Sequence, residues 1–233
     1  RDRADVMPLP EAIRMIHFPD DASALKHAER RLKFDELFIL QLRAEMIRQS
    51  LRRSNAPTIE FREKETKEFV ASLPFALTKD QKIAAWEILQ DMQKQEPMNR
   101  LLAGDVGSGK TVVAALASYC AVLNGFQTVI MAPTEILAKQ HFASFQVLLE
   151  EKEILLLTSS ETGNKKLETN ELSKKQRHEH AVQMIRDGTA KIVIGTHALL
   201  TKEIQFHNLG LVIVDEQHRF GVAQRKMIKE KSG

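Results

Sequence analysis

One stretch of the sequence, Gly104–Thr111, has the residue types and spacing of a phosphate-binding loop. It fits the pattern G-x-x-x-x-G-K-[ST] at every fixed position. Backbone N–H groups in such a loop approach phosphate oxygens, and the dipole of the helix that follows favours negative charge there. We expect ATP here, with Lys110 on the β- and γ-phosphates and Thr111 on Mg²⁺. The residues expected to contact ATP are Gly104, Asp105, Val106, Gly107, Ser108, Gly109, Lys110 and Thr111.

The alternative interpretation is an ordinary glycine turn in front of a helix. The flanking residues favour the phosphate loop, because apolar Leu101–Ala103 precede it and an apolar, alanine-rich segment follows it to Leu123. The first segment predicts a buried strand and the second predicts a helix. A strand, a glycine loop and a helix N-terminus in this order form an anion site.

A second set of candidate residues follows an apolar run that ends at Val214. Asp215 and Glu216 come directly after this run, where a nucleotide-binding sheet carries its metal chemistry. We expect Asp215 to hold Mg²⁺ opposite Thr111, mostly through water, and Glu216 to orient and deprotonate the attacking water. The predicted catalytic residues are Glu216, Lys110 and Asp215. The alternative is an acidic turn on the surface.

Gln217 and His218 complete the sequence Asp-Glu-Gln-His. Neither is needed to hold the metal. Because they adjoin the predicted catalytic pair, they are candidates for coupling ATP to nucleic acid. A structural hydrogen bond is the simpler role for His218.

The elements that position these residues alternate between strand-like and helical patterns from residue 98 onward. An alternating order predicts an α/β fold with a parallel sheet and helices on both faces. The strands are almost continuously apolar, as in a sheet that is buried on both sides. The expected helices lie near 110–124, 135–149 and 171–187. The expected strands are Arg100–Ala103, Thr128–Ala132, Ile154–Thr158, Lys191–Gly195 and Leu211–Val214.

The first part of the chain is helical in its pattern, and its arginines could face DNA, although a solvated helix face is the simpler interpretation. Residues 22–53 predict one long helix with Ser23 as its N-cap, and Ser54–Pro57 break it. We divide the chain into a helical linker, 1–56, and an ATP-binding domain, 57–233. Two more helices are expected within 62–95, the second with Thr78 as its N-cap.

The net charge, the cysteine count and the lengths of the apolar runs restrict the class of protein. The 233 residues carry a net charge of +3, which permits nucleic-acid binding without demonstrating it. A single cysteine, Cys120, excludes an intrachain disulfide and fits a reducing compartment, so we expect a cytoplasmic protein. No run of about 18 apolar residues predicts a membrane span.

These motifs together resemble superfamily-2 helicases with a RecA-like fold and, among them, the bacterial RecG branch-migration helicases. The resemblance covers about residues 73–225, and Pro10–Arg53 also resembles that family's connection from a DNA-binding wedge domain. Ser108 and Gln217 favour this family over the related transcription–repair coupling translocases. Besides the phosphate loop, the residues that carry the resemblance are Arg100–Leu102, Ala132–Ala138 with Gln140 and His141, Gly195–Leu199, and Val214–Val222.

The resemblance implies ATP hydrolysis coupled to movement on duplex DNA, with forks and Holliday junctions as substrates. We expect a monomer. The resemblance places Gln81 on the adenine base, although the sequence alone favours a polar residue on a helix face. Thr134 could also be the N-cap of the next helix, and both roles can hold together. The family's Thr-Gly-Ser is replaced by Thr158-Ser159-Ser160, so a DNA contact there is doubtful. The residues expected to grip the DNA backbone are Pro133, Thr134, Gly195, Thr196 and His197.

Helicases of this type also use a Ser-Ala-Thr segment, a second RecA-like domain and an arginine finger, none of which follows Val222. The Ser-Ala-Thr strand lies between the strands that end at Ala103 and Val214, so we expect this sheet to lack a central strand. We expect the 233 residues to bind nucleotide weakly and not to unwind DNA. The alternatives are a transcription–repair coupling translocase, a non-helicase P-loop enzyme such as a small-molecule kinase, and a module that only binds ATP.

Overall fold

Of the 233 residues, the computed structural model describes 5–52, 55–149, 153–160, 162–163 and 173–216. The chain divides into two units, Arg1–Asn55 and Ala56–Gly233. The roles assigned to these two segments from the sequence, a linker and an ATP-binding domain, stay predictions.

The first unit is a pair of helices, α1 (Leu9–His17) and α2 (Ala22–Arg52). They pack through a small buried cluster of Ala12, Met15 and Ala28. The prediction that Ser23 is the N-cap of α2 is wrong. The helix begins one residue earlier, and the carboxylate of Asp21 accepts the backbone N–H of Ala24 at 2.7 Å. Asp21 precedes the first helical residue, which is where an acceptor can reach these free N–H groups.

The second unit is organised by a five-stranded sheet in the order β3-β2-β4-β1-β5. Strands β2, β4, β1 and β5 are parallel, and the two-residue β3 pairs antiparallel with β2. Met131 is level with Gly195 and with Val214, so the carboxyl ends of these strands form one edge. The strands are β1 (Gln127–Met131), β2 (Ile154–Leu157), β3 (Thr162–Gly163), β4 (Ile192–Gly195) and β5 (Leu209–Val214).

Helices cover both faces of the sheet, which confirms the predicted fold class. Ile130 and Ile194 face a core shared with α3–α6, whereas Val129 and Val193 face a second core with α7 and a short 3-10 helix. Alternation of successive strand residues between two apolar layers explains the nearly continuous apolar runs. The helices are α3 (Glu63–Ser72), α4 (Lys79–Met92), α5 (Lys110–Leu123), α6 (Glu135–Leu148), α7 (Lys174–Arg186) and the 3-10 helix His197–Leu200.

The predicted strand Arg100–Ala103 is not formed. These residues are irregular, and Leu101 is 83% exposed instead of buried. A strand needs a neighbour for its backbone N–H and C=O groups. Among the described residues, β5 is the last strand on this side of the sheet. Without a described strand beside β5, the backbone groups of Arg100–Ala103 have no strand to pair with, and the segment stays irregular.

One smaller prediction is confirmed. Thr78 caps α4 in a reciprocal capping box with Gln81. Cys120 is fully buried in α5 beside Thr66, and burial raises the pKa of its thiol. No helix among the described residues combines the length and apolarity that a membrane span requires.

Candidate nucleotide and nucleic-acid site

The predicted site residues lie along the carboxyl edge of the sheet. Thr134 follows β1, Thr196 follows β4 and Asp215 follows β5, and these three strands are neighbours. Helix α5 packs on β1 and β5 and ends at the turn that leads into the start of β1. It therefore runs back along the sheet, and its first turn, with Lys110, lies toward the same edge as Asp215.

The phosphate loop turns through two glycines with positive φ. Gly107 and Gly109 both have φ of +81°, and Gly109 is the residue in front of α5. Other residues adopt this left-handed region only at a cost of about 1–2 kcal/mol. A side chain at Gly109 would also collide with the amide of Gln81. Gly107 and Gly109 are thus required by the path of the loop itself.

Lys110 folds back over the loop. Its Nζ donates to the carbonyl oxygens of Gly104 at 2.6 Å and Asp105 at 2.8 Å. The ammonium group therefore lies over the loop, where three donors are available to replace carbonyl oxygens with phosphate oxygens. This donor set fits a nucleotide phosphate.

Gln81 connects the start of α4 to the phosphate loop. Its Oε1 accepts the backbone N–H of Thr78 at 2.9 Å, and its Nε2 donates to the carbonyl of Ser108 at 2.9 Å. Gln81 is therefore more than a polar residue on a helix face: it fixes the loop from outside. An adenine contact stays a prediction, because both polar groups of the amide already have protein partners here.

The acidic end of β5 is held by the neighbouring strand and by a helix. The N–H of Asp215 donates to the carbonyl of Met131 at 2.9 Å. Its Oδ2 lies 2.8 Å from Nε2 of His141 on α6, and these side chains are 32% and 20% exposed. Glu216 is exposed and has φ of +51°, an uncommon conformation for a residue with a side chain. The strain is of order 1–3 kcal/mol, and such strain is found most often at functional sites.

Sequence reasoning missed His141. It belongs to a motif that carries the resemblance, but the sequence assigns no chemistry to it. The helical pattern could not reveal the contact, because 74 residues separate His141 from Asp215. The place of His141 in α6 gave no signal either, because that helix carries other polar residues such as Lys139, Gln140 and Ser144.

The residues present fit a magnesium ion that is bound mainly by water and phosphate. Thr111 in the first turn of α5 and Asp215 supply one hydroxyl and one carboxylate. The described part of the chain has no cluster of three or more His, Cys, Asp or Glu side chains that could hold a metal unaided. Mg²⁺ at nucleotide sites is typically held in this way, by one or two protein ligands together with substrate phosphates.

The predicted DNA-contact residues differ in what they offer. The Thr134 hydroxyl accepts the N–H of Leu137 at 3.3 Å, so its role as the N-cap of α6 is confirmed. Gly195 lies against the carbonyl oxygen of Leu157, which a side chain would strike, so its packing alone explains the glycine. Thr196 is 1% exposed and its hydroxyl has no partner among the described residues, whereas the side chain of His197 is exposed. Among the five predicted DNA-contact residues, Thr134 and His197 are exposed to solvent.

A basic cavity of about 410 Å³ adjoins the loop after β2, next to the predicted DNA-contact residues that follow β1 and β4. Ser160 in its wall donates through its N–H at 3.1 Å and through its hydroxyl to the carboxylate of Glu135. These hydrogen bonds, chiefly the one from the hydroxyl, lower the pKa of Glu135. The residues that line the cavity are Lys139, Ser160, Thr162, Lys174 and Arg177.

The predicted coupling residues Gln217 and His218 lie outside the described residues. Their roles stay predictions.

Comparisons with known proteins agree with this geometry. The sequence profile of the DEAD/DEAH box helicases matches residues 78–232. The chain is 42% identical over 231 residues to the ATP-dependent DNA helicase RecG of Streptococcus pneumoniae, covering 99% of this chain and 33% of that protein. The RecG of Aquifex aeolicus is also 42% identical, over 94% of this chain and 27% of its own length.

A solved structure of RecG bound to a three-way DNA junction superposes with a TM-score of 0.82 at 39% identity. The match covers 94% of this chain and 29% of that one. The chain thus spans about a third of the length of the curated relatives it matches.

Proposed function

The chain belongs to the DEAD/DEAH box helicase family, and we propose that it is the first ATP-binding segment of a RecG-type DNA helicase. One observation carries the proposal: the phosphate loop in front of α5 and the acidic end of β5 lie at the same edge of one sheet. The segment binds ATP and Mg²⁺, and the whole protein uses hydrolysis to move along duplex DNA. Forks and Holliday junctions are the proposed substrates.

Each residue near the nucleotide has a distinct role. Lys110 exchanges the carbonyls of its own loop for the β- and γ-phosphates, and Thr111 with Asp215 holds Mg²⁺. The metal, when bound, neutralises the charge that develops on the phosphates. Glu216 orients the attacking water and accepts its proton. Its strained backbone is consistent with a side chain fixed for this purpose.

The nucleic-acid side of the proposal rests on the same row of strand ends. The loops after β1, β4 and β2 follow one another across the sheet, at about 4.8 Å per strand. Exposed Thr134 and His197, followed by the basic cavity at Ser160, form a row of groups that suit a phosphate backbone. Contacts of this kind track DNA without reading its sequence.

Family membership favours this function over a small-molecule kinase. The alternative of a transcription–repair coupling translocase is not supported by the relatives reported above, which are RecG helicases. No feature of the described residues favours it.

The proposal can be tested on the 233-residue chain by nucleotide binding and DNA binding in parallel. We expect a fluorescent ATP analogue to bind in a Mg²⁺-dependent manner, and Lys110→Ala to weaken that binding about 10- to 100-fold, the value of charge-assisted hydrogen bonds. A labelled DNA fork should bind without nucleotide, with an affinity that falls steeply with salt.

Lys82→Ala, at an exposed lysine on α4, is the matched control and should bind the analogue like the unaltered chain. If both variants lose affinity for the analogue equally, the loss reflects the lower positive charge of the protein and not a specific contact of Lys110. Binding of nucleotide without any binding of DNA would leave an ATP-binding segment but contradict the helicase proposal.

A further inference from the structure

The contact between His141 and Asp215 joins helix α6 to strand β5, which belong to the predicted DNA-binding and nucleotide-binding sides of the site. His141 is on α6, whose N-cap is Thr134 in the row of exposed strand ends. Asp215 is at the end of β5, in the nucleotide site. Nε2 and Oδ2 are 2.8 Å apart, and both side chains are largely shielded from water. A direct hydrogen bond therefore links the predicted DNA side of the edge to the predicted metal ligand.

A second histidine–carboxylate pair shows what an incidental contact looks like. His178 on α7 lies 3.7 Å from Glu203, and these side chains are 41% and 74% exposed. At that distance and exposure, water and salt screen the interaction. The pair at His141 is almost 1 Å shorter and less exposed, so it can fix the direction of a carboxylate.

The chemistry of the pair defines which group donates. An aspartate that binds Mg²⁺ is ionised and can only accept, so Nε2 of His141 carries the hydrogen. The bond occupies Oδ2, and among the described residues no hydrogen bond involves Oδ1 of Asp215. One oxygen is thus held by the protein while the other remains available to the ion or its water shell.

We propose that His141 is a positioning residue: it orients Asp215 for Mg²⁺ and transmits movement of α6 to the nucleotide site. This inference rests on the function proposed above. From Thr134 to His141 the helix rises about 10 Å in two turns. Ala138 and Phe145 on α6 are buried in the core, so the helix moves as a unit. A backbone phosphate bound at Thr134 would therefore shift His141 and, with it, the carboxylate of Asp215.

The test measures how nucleotide binding depends on Mg²⁺ in the whole chain, using a fluorescent ADP analogue titrated with Mg²⁺ and, separately, in EDTA. Carboxylate ligands that lose an outer hydrogen bond typically lose 10–100-fold in metal affinity. We expect His141→Ala to raise the Mg²⁺ concentration for half-maximal binding about 10-fold. Binding in EDTA should be unchanged.

Conservative variants separate positioning from simple packing. The amide of His141→Gln can place an N–H near the position of Nε2, so it should restore most of the Mg²⁺ dependence. His141→Asn is too short to do so and should behave like alanine. His178→Ala is the matched control and should leave the titration unaltered. If the alanine variant does not fold, as judged by thermal unfolding, the glutamine and asparagine pair still decides the question.

The proposed coupling between DNA binding and nucleotide binding is measured separately. The factor by which a DNA fork changes the Kd of the Mg²⁺–nucleotide should fall toward one in His141→Ala. Equal losses with and without Mg²⁺, or no difference between the glutamine and asparagine variants, would overturn the inference. Absence of Mg²⁺-dependent binding in the unaltered chain would instead overturn the proposed function, and the inference with it.

Discussion

The carboxyl edge of the sheet has two halves that are built differently. The nucleotide half consists of Gly104–Thr111 with Asp215 and Glu216, and the track half consists of the strand ends after β1, β4 and β2. In the nucleotide half, protein groups already bind one another: Lys110 contacts loop carbonyls and Gln81 contacts Ser108. In the track half, as far as the described residues show, Lys174 and Arg177 have no side-chain hydrogen bond or ion pair and the hydroxyl of Thr196 has no partner.

The difference indicates how each half recognises phosphate. The nucleotide half depends on geometry, so a small displacement should have a large effect that varies little with salt. The track half depends on charge, so each residue should contribute little and salt should weaken it. The following changes test this distinction, beginning with the largest expected effect.

Glu216→Gln removes the proposed base while keeping nearly the same shape. We expect ATP turnover to fall by about 10²–10⁴-fold, because a general base contributes that much. Nucleotide binding should change less than about threefold, since Gln still accepts a hydrogen bond. The comparison requires a length of the protein that hydrolyses ATP, measured by phosphate release. Turnover that persists would mean that another group activates the water.

Gly109→Ala tests the geometry of the loop. The substitution imposes about 1–2 kcal/mol of left-handed strain and also collides with Gln81, so nucleotide binding and stability should both decline. Gly125→Ala is the matched control. Gly125 has the same φ of +81° but nothing within 4 Å of an added Cβ, and it lies in the turn between α5 and β1.

Gly125→Ala should lower the melting temperature of the protein without weakening nucleotide binding. Calorimetry and analogue binding on both variants distinguish the two effects. If both variants weaken binding equally, the loop near Gly109 has no special role.

Lys174→Ala with Arg177→Ala tests the track half. We expect DNA affinity to fall several-fold and the slope of log K against log salt to decrease by about one to two units, as each lost phosphate contact removes about 0.7–0.9. Nucleotide binding should be unaffected. Lys175→Ala is the control: Lys175 is a neighbour on α7 but its Nζ lies 3.8 Å from Glu179. A slope that is unchanged in the double variant would exclude the basic cavity from the track.

Glu135→Gln removes a negative charge beside this cavity and should raise DNA affinity by about twofold at low salt, the small effect of an exposed charge. Hydrogen bonds from Ser160 hold the pKa of Glu135 below its usual 4.5. The carboxylate therefore stays ionised as the pH falls to 5, and the difference between the two proteins should persist there. The difference in DNA affinity should disappear only at a pH below the usual pKa range of a glutamate. Fluorescence anisotropy at pH 7 and pH 5 checks this, and a difference already lost at pH 5 would contradict the lowered pKa.

The sequence alone determined those features that depend on local spacing. The phosphate loop, Thr78 as an N-cap and the alternation of strands with helices follow from residue type and period. The strand ends at Met131 and Gly195 were likewise predicted to within a residue. In each case the residues that decide the structure are near neighbours in the chain.

Only the tertiary structure decided the features that depend on distant partners. The segment Arg100–Ala103 has the composition of a strand but no described neighbour to pair with, so it stays irregular. The bond from Gln81 to Ser108 spans 27 residues and that from His141 to Asp215 spans 74. A periodic pattern reports which face of an element is apolar. It does not report which polar group from elsewhere in the chain will meet that element, because this is settled only when the sheet and its helices pack.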